Sequence, residues 1–238
     1  MQQLMSYMRS AMERYNMIEN GDNIAVGVSG GKDSVALLVS LAEMRRFYPV
    51  KYSLKAIMLD PCFNNIETDC TKLYSLCEKL GVEFFIKRTD LYDIIFNIRK
   101  EANPCSLCAR MRRGILHDIC KELGCNKIAL GHHMDDAVET FYMNLLSGGS
   151  ATCFSPVSYL DRKDLYLIRP LVFTPEKHII KVVNKLKLPI VKSKCPVDGI
   201  TGRQKIREYI KMLEKDYGAL TQKTINALQK GSISGWGV

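Results

Sequence analysis

A short run of small and polar residues joins an apolar strand pattern to an apolar helix pattern near the start of the chain. Residues 24–28 have the character of a buried strand, and residues 35–38 open a helix. The residues between them are Ser29, Gly30, Gly31, Lys32, Asp33 and Ser34. Two consecutive glycines let the backbone turn sharply and direct several N–H groups at one anion, and the following helix adds its positive end. The run therefore predicts a phosphate-binding loop.

The same run also has a plainer interpretation, a glycine-rich turn between a strand and a helix. It is not a Walker loop, because that motif places a Lys-Ser/Thr pair after four variable residues. The hydroxyls of Ser29 and Ser34 can donate hydrogen bonds to the same phosphates that the backbone binds. These flanking polar groups favour phosphate binding over the plain turn.

Four more segments with strand character follow, separated by segments of helical period. They are residues 54–59, 84–86, 127–130 and 165–168. This alternation predicts an α/β fold with a mainly parallel sheet. We expect one domain over residues 1–238, an N-terminal helix within residues 1–20 and a long C-terminal helix from about residue 204. Residues 231–238 are expected to form a frayed tail.

The positive charge is concentrated in two parts of the sequence. The formal net charge is +9, and residues 176–238 contain thirteen Lys or Arg against five Asp or Glu. A second basic group lies in mid-chain and comprises Arg99, Lys100, Arg110, Arg112 and Arg113. Such clustering is typical of a surface that binds a polyanion, and it also occurs on well-solvated basic surfaces. The basic C-terminal region covers about residues 175–238.

Residues 131–140 follow a predicted strand and open a helix rich in acidic side chains. Gly131 lies at the strand end, and Asp135 and Asp136 fall in the first helical turn. Asp135 and Glu139 are four residues apart and share a helix face, so they could hold Mg²⁺ against ATP phosphates. Acidic side chains in a first turn also complement the helix dipole without binding a metal.

Other polar residues near predicted strand ends carry less information. Asp60 ends the second strand near the expected nucleotide, and we include it among the nucleotide-binding candidates. Cys62 follows it, and the sequence does not decide its role. His132 and His133 are adjacent and point in different directions, so they are given little weight as metal ligands.

The nine cysteines divide into core residues and possible ligands. Cys70, Cys77 and Cys120 fall on apolar helical stripes, where a thiol packs as a small hydrophobe. Cys125 and Cys153 have no partner at ligand spacing and are expected to be structural. The chain has neither a signal-peptide pattern nor an apolar run that could cross a bilayer, which predicts a cytoplasmic protein with reduced thiols and no membrane partner.

Cys105 and Cys108 differ from the other cysteines because two residues separate them at the start of a basic helix. This spacing lets both thiols reach one metal or each other. The helix dipole and the nearby arginines are expected to lower the pKa of both thiols. Cys195, which precedes a proline, is a possible third ligand. Three thiols without a clear fourth favour an iron–sulfur cluster over structural zinc, and dithiol redox chemistry remains a further alternative.

These segments together resemble a known enzyme family. Residues 29–34 resemble the pyrophosphate-binding loop of the PP-loop ATP pyrophosphatases. Residues 103–116, residues 131–140, Cys195 and the Arg169-Pro170-Leu171 tripeptide resemble the tRNA 2-thiocytidine synthetase family, TtcA. The resemblance runs from about Gly21 to Cys195. It implies an open five-stranded sheet with helices on both faces and the nucleotide at the carboxyl ends of the strands.

The resemblance to TtcA also implies a reaction. ATP would adenylate O2 of a cytidine in a tRNA anticodon loop, and sulfur would then displace AMP. Asp33, Cys105, Cys108 and Cys195 would be catalytic, and the three cysteines would hold a [4Fe–4S] cluster. The implied cofactors are ATP, Mg²⁺ and the cluster. The implied partners are tRNA and a sulfur donor such as a cysteine desulfurase or free sulfide, with a possible homodimer.

Alternatives to this function differ in substrate, metal or activity. The chain could thiolate another nucleoside or a small molecule, or it could be a colourless zinc-bound relative. It could also be a nucleotide-binding regulator without catalysis. The concentration of positive charge favours a nucleic-acid substrate over a small molecule.

Overall fold

The computed structural model describes residues 1–100, 104–191, 195 and 202–237. Its strands are β1 (Asp22–Gly27), β2 (Tyr52–Asp60), β3 (Glu83–Arg88), β4 (Lys127–Ala129), β5 (Val157–Leu160) and β6 (Leu165–Ile168). They form one sheet in the order β3-β2-β1-β4-β6-β5. β5 pairs antiparallel with β6, and all other pairs are parallel. The predicted mainly parallel sheet is confirmed with all five predicted strands, and the sequence analysis missed β5.

The helices alternate with the strands along most of the chain. They are α1 (Gln2–Arg14), α2 (Lys32–Met44), α3 (Thr71–Lys79), α4 (Pro104–Glu122), α5 (Met134–Gly148), α6 (Glu176–Leu186), α7 (Gly202–Tyr217) and α8 (Leu220–Lys230). A π-helical segment, Asp93–Ile98, precedes α4. The segments α1 to α6 correspond to the helices expected from the apolar periodicity, with ends that differ by a few residues.

Both faces of the sheet are covered, because successive side chains of a buried strand point to opposite sides. On β1, Ile24 and Val26 pack with residues of α2, α5 and α6, whereas Ala25 packs on the other face. That other face is covered by α4 through the buried side chains of Leu116 and Cys120. The near-continuous apolar character of β1 follows from this double burial.

The sheet order reverses beside β1. The chain proceeds from β1 outward to β2 and β3, and β4 then lies on the opposite side of β1. In open parallel sheets a crevice forms at this point, outside the carboxyl ends of the two strands. The loops that follow β1 and β4 therefore face each other across the crevice.

Two expectations for the C-terminal part were wrong. The predicted single helix from residue 204 is divided into α7 and α8 at Gly218 and Ala219, whose φ angles are +55° and +48°. The expected frayed tail is packed, because Trp236 is fully buried and its indole N–H donates to the Phe154 carbonyl at 2.8 Å. The Tyr15 hydroxyl in turn donates to the Trp236 carbonyl at 3.0 Å.

The membrane prediction concerns helix length and composition. None of the helices within the described ranges is both long and apolar enough to cross a bilayer. The extent of the domain, given as residues 1–238, stays a prediction.

Candidate nucleotide and thiol site

Hydrogen bonds to the hydroxyls of Ser29 and Ser34 fix the conformation of the loop between β1 and α2. The Ser29 amide donates to Ser34 Oγ at 3.1 Å, and Ser34 Oγ donates to the Gly31 carbonyl at 2.9 Å. The Gly31 amide donates to Ser29 Oγ at 3.3 Å. These bonds fix a loop that passes directly into α2, so the positive end of that helix faces the same space.

Two glycines permit close contacts with this loop from distant parts of the chain. Gly30 has a φ of +82°, and a Cβ there would lie 2.8 Å from Val191 Cβ. The Val191 amide donates to the Gly30 carbonyl at 3.0 Å. From the other side, a Cβ on Gly131 would lie 3.0 Å from the backbone of Asp33 and Ser34. Glycine is therefore required at position 131 for the two strand-to-helix turns to touch, and at position 30 for the segment after α6 to pack on the loop.

A cavity of about 360 Å³ lies at this edge of the sheet. Its walls come from β1, β2 and the turns that follow β1 and β4, and its polar lining includes Ser29, Asp33, Ser34 and His132. Helix α4 contributes Arg112 and Arg113 to the same lining. A cavity with mostly apolar walls and a few convergent polar groups is the usual form of a small-molecule site.

Lys32 and Asp33 begin α2 and differ in how fully they are paired. Lys32 Nζ lies 3.0 Å from Asp33 Oδ2 and 2.8 Å from Glu176 Oε1. Burial lowers the pKa of Lys32, but the hydrogen bonds to Glu176 and Asp33 outweigh it and place the pKa above its ordinary value. Within the described part of the chain, Asp33 Oδ1 is buried and makes no hydrogen bond. That oxygen suits a cation that arrives with a ligand.

His133 organises the start of α5. The Asp136 amide donates to His133 Nδ1 at 3.4 Å, and the His133 amide donates to Asp136 Oδ2 at 3.0 Å, which is a reciprocal cap. Burial lowers the pKa of His133, but hydrogen bonding to Asp135 and the charges of Asp136 and Asp33 outweigh it, so that the pKa is raised. The histidine therefore links the acidic start of α5 to the glycine loop.

Asp135 and Glu139 do not share one metal site. Asp135 Oδ2 accepts the Glu176 amide at 2.7 Å, which joins the starts of α5 and α6. Glu139 is buried and faces α7, where Arg207 Nε lies 2.5 Å and Arg203 3.5 Å from its carboxylate oxygens. The suggestion that Asp135 and Glu139 together hold Mg²⁺ is therefore wrong, because an arginine pair already neutralises Glu139.

Asp136 and Asp60 also have protein partners. Arg203 Nη1 lies 3.1 Å from Asp136 Oδ1. Asp60 is buried, and its carboxylate accepts hydrogen bonds from the amides of Cys62 and Thr68 at 3.1 and 2.7 Å. Asp60 thereby shapes the loop after β2, while its role in nucleotide binding stays a prediction.

Cys105 and Cys108 lie in the first turns of α4, about two turns and one turn before the arginines that line the cavity. Cys105 is exposed, and Cys108 and Cys195 are half-buried. Cys195 lies close enough to Cys108 for its charge to affect the ionisation of that thiol. Cys195 thus lies in the same region as Cys108, and its role as a third ligand stays a prediction.

The expected low pKa of Cys108 was wrong. Burial raises its pKa, and the neighbouring charges of Cys195 and Cys105 add to this effect, whereas Arg112 opposes it. Within the described residues, no group of three or more His, Cys, Asp or Glu side chains is arranged to hold a metal ion. Thiols are nevertheless the donor type that iron–sulfur clusters use.

Five of the six remaining cysteines are packed as expected, and Cys62, whose role the sequence left undecided, is half-buried. Cys70, Cys77, Cys120 and Cys125 are buried. Cys153 is half-buried, and its Sγ lies 3.4 Å from the Ala137 carbonyl. They are distributed through the fold as packing residues.

Several residues at the site were missed from sequence. Glu176 pairs with Lys32, and Arg203 and Arg207 pair with α5, but nothing in the local sequence indicates those contacts. Arg169 was seen only as part of a resemblance, although it follows β6 at the same carboxyl edge. Its position after a predicted strand was the one pattern that could have identified it.

Comparison with known families gives a match over most of the chain. A family model described as a PP-loop domain matches residues 4–213. A tRNA-cytidine(32) 2-sulfurtransferase from Citrifermentans bemidjiense is 38% identical over 221 residues, which are 92% of this chain and 86% of that protein. The protein of the same name from Dechloromonas aromatica is 41% identical over 217 residues, 90% and 75% of the two chains.

The fold is also similar to a solved structure. That structure is of the U34-tRNA thiolase NcsA from Methanococcus maripaludis with its [4Fe-4S] cluster. The TM-score is 0.77 at 25% identity, with 94% of this chain and 77% of that chain covered.

Proposed function

This chain belongs to the PP-loop domain family and, within it, to the family of the tRNA-cytidine 2-sulfurtransferases, and we propose that it replaces O2 of a tRNA cytidine with sulfur. It is an ATP-dependent tRNA thiotransferase. The names of its relatives point to cytidine 32, in the anticodon loop, as the target. The observation that carries the proposal is the contact of a glycine loop and a thiol-bearing helix with one cavity.

The glycine loop would bind the phosphates of ATP. Its N–H groups, the start of α2 and Lys32 supply positive charge where pyrophosphate leaves. Asp33 Oδ1 is buried and unbonded among the described residues, and it would hold Mg²⁺ beside those phosphates. Asp135 and Asp136 would act mainly by fixing the start of α5 and α6 around that site.

Adenylation prepares the cytidine for substitution. The O2 atom leaves poorly as an oxide, but it leaves readily after it has been joined to the α-phosphate of ATP. The oxygen attacks that phosphate and pyrophosphate departs. Sulfur then adds at C2, and AMP leaves with the former O2. One ATP is thus converted to AMP and pyrophosphate for each thiolated cytidine.

Cys105, Cys108 and Cys195 would hold a [4Fe–4S] cluster. Three thiolates leave one iron open, and when bound the cluster supplies a site that can carry sulfide. Cys105 and Cys108 lie at the start of α4, the helix from which Arg112 and Arg113 line the cavity, and Cys195 would complete the ligand set from outside that helix. The raised pKa of Cys108 means that ligation must displace its proton.

Arg112 and Arg113 would meet the RNA. They line the cavity and follow the thiols on the same helix. Their side chains supply charge for phosphate contacts where a target nucleoside would enter. The proposal includes a sulfur donor such as a cysteine desulfurase or free sulfide, a reaction in the cytoplasm and a possible homodimer.

The central test is a defined reaction under anaerobic conditions. Purified protein is incubated with an unmodified tRNA transcript, ATP, Mg²⁺ and sulfide, and the nucleosides are analysed by mass spectrometry. We expect 2-thiocytidine, with AMP and pyrophosphate formed only when tRNA is present. Thiolation of a different nucleoside, or AMP formation that does not depend on tRNA, would contradict the proposed substrate.

A second test concerns the metal. Anaerobically purified protein should be brown and contain iron and sulfide. Cys105→Ser should remove that colour, whereas Cys77→Ser, a buried cysteine of α3, should retain it. Colourless wild-type protein with one equivalent of zinc would overturn the cluster assignment.

A further inference from the structure

Arg169 is a buried cation at the carboxyl end of β6. Its side chain is 9% exposed, and its guanidinium lies 4.9 Å from the centre of the Phe154 ring. The Nη1 atom donates to the Ser155 carbonyl and lies 3.4 Å from Ser158 Oγ. These contacts position the guanidinium but place no negatively charged group beside it.

Two other cations, the buried Lys127 and the partly exposed Arg207, have carboxylate partners. Lys127 is paired with Asp22 at 2.8 Å, and Arg207 is paired with Glu139 at 2.5 Å. Within the described ranges, Arg169 forms no ion pair, and its Nε is buried without a hydrogen-bond partner. Burial lowers the pKa of Arg169 to about 10, which reflects the cost of this unmatched charge.

Two cavity residues are within reach of this charge. The positive charge of Arg169 is, after burial, a main reason for the low pKa of His132, and His132 lines the cavity. Arg113 also lines the cavity, and its charge acts on Arg169. Arg113 lines the cavity, whereas Arg169 lies next to its His132 end, because the Phe154 ring contacts both the His132 ring and the Arg169 guanidinium. An anion at this end of the cavity would stabilise the two like charges.

We infer that Arg169 and Arg113 bind one phosphodiester group of the RNA substrate at the His132 end of the cavity. This inference rests on the proposed function. A cytidine that enters the cavity brings its own phosphate, which needs a cationic contact near the base site. The phosphates of ATP have a separate place at the glycine loop, where N–H groups and Lys32 are available.

Arg169 also has a simpler possible role as a support for the segment before β5. The contacts of Nη1 with Ser155 and Ser158 fit that role. They do not account for the buried Nε, nor for the nearness of Arg113. A supporting role predicts that charge removal affects folding alone, whereas a phosphate site predicts coupled losses at Arg169 and Arg113.

The test measures binding of tRNA by full-length wild-type protein, Arg169→Gln, Arg113→Gln and the double variant. We expect each single change to weaken binding about tenfold in low salt, since each removes charge-assisted hydrogen bonds to phosphate. The double variant should lose less than the product of the two single losses, because both side chains bind one group. Arg46→Gln, an exposed cation at the opposite end of α2, should bind as wild type.

The outcomes separate the possible sources of the phosphate. Unchanged tRNA affinity in Arg169→Gln would overturn the inference. So would a double variant whose loss of tRNA affinity equals the product of the two single losses. So would a raised KM for ATP with unchanged tRNA affinity, because the phosphate would then belong to the nucleotide. If Arg169→Gln fails to fold by circular dichroism, Arg113→Gln and Arg169→Lys decide, because Arg113 is exposed and its backbone bond stays within α4.

The inference and the proposed function can fail separately. Thiolation by wild-type protein together with unchanged tRNA affinity in the variants would refute the phosphate site alone. Coupled losses of tRNA affinity without any 2-thiocytidine from wild-type protein would refute the proposed reaction and keep the site.

Discussion

The two carboxylate oxygens of the Asp33 side chain have different surroundings. One carboxylate oxygen accepts a hydrogen bond from Lys32, and the other faces the interior without one among the described residues. Lys32 is also bonded to Glu176, so the loop holds its charges in a fixed arrangement before a ligand binds. Preorganised charge of this kind needs little rearrangement when pyrophosphate departs.

Asp33→Asn is expected to abolish ATP cleavage while the fold is kept. The amide cannot bind Mg²⁺ with the charge of a carboxylate, so pyrophosphate release should fall by about two orders of magnitude or more. A coupled pyrophosphate assay with tRNA measures the effect. Asp161→Asn, an exposed change near the other edge of the sheet, serves as the control. Equal turnover in wild type and Asp33→Asn would remove Asp33 from the mechanism.

The glycine loop could be predicted at residue level because its contacts are local. Ser29, Gly31 and Ser34 bond to one another within six residues. Arg169 is different, because its importance depends on the lack of a carboxylate partner among the described residues. An unmatched charge becomes visible only when the whole surroundings of the guanidinium are known.

At the level of elements, the start of α5 joins three parts of the site. His133 caps the helix, Asp135 accepts the first amide of α6, and Asp136 pairs with Arg203 of α7. The acidic cluster therefore acts in large part as a connector between helices. The sequence identified the cluster, but the arginines that engage it lie more than sixty residues further along the chain.

The stabilising effect of His133 should depend on pH in a defined direction. Its pKa in the folded protein is raised above 6.5, so its contribution is fully present below about pH 6.5 and is lost as pH rises through the folded pKa. The difference in unfolding free energy between wild type and His133→Asn should therefore be larger at pH 6 than at pH 9. Urea titrations at the two pH values measure it.

The urea titrations stay above pH 5 so that the titration of Asp135 does not contribute. Asp135 has a lowered pKa, so its own contribution is present above its ordinary value of 3.8 and is lost at lower pH. A difference that grows between pH 6 and pH 9 would contradict the assignment of a raised pKa to His133.

Most elements could be predicted from apolar periodicity, and the exceptions have physical causes. β1, β2 and β4 are largely buried on both faces and give near-continuous apolar runs, and the more exposed β3 and β6 contribute shorter ones. β5 lies at the sheet edge, and its partly exposed Val-Ser-Tyr-Leu sequence does not form the continuous apolar run by which the other strands were identified. The division between α7 and α8 depends on backbone torsions at Gly218 and Ala219, and alanine carries no sequence mark of a left-handed conformation.

At the level of the whole molecule, Trp236 joins the two ends of the chain to the site. Its ring contacts Tyr15 and Phe173, and its N–H bonds to Phe154, whose ring packs against His132 and Arg169. The sequence could not predict this role, because a tryptophan among glycines and serines has no periodic pattern. The burial of Trp236 arises only from long-range packing.

Trp236→Ala should destabilise the protein by about 3–5 kcal/mol, the usual cost of removing a large buried aromatic side chain. Trp236→Phe should cost less, since it keeps a ring and loses mainly the bond to Phe154. Urea unfolding followed by circular dichroism compares them. Trp236 is the single tryptophan, so wild-type fluorescence should also be that of a buried indole. Equal stabilities of the wild type and both variants would show that Trp236 is not packed and that the tail is frayed, as the sequence had predicted.

The three proposed ligand thiols also illustrate a limit set by distance along the chain. The spacing of Cys105 and Cys108 could be read locally, whereas Cys195 could be proposed only as a distant partner that precedes a proline. The resemblance to a family supports the same three residues. Periodicity alone cannot pair residues on separate elements.

The bond between Val191 and Gly30 has a consequence for the order in which the protein acquires activity during its synthesis. The glycine loop leaves the ribosome early, but the residue that closes against it follows only after α6. A nascent chain that ends before Val191 should therefore carry the complete ATP motif without a fully formed ATP site. Nucleotide binding by ribosome-bound chains of increasing length should appear only when the segment after α6 has emerged, so that the growing enzyme consumes no ATP before most of its thiolation machinery exists.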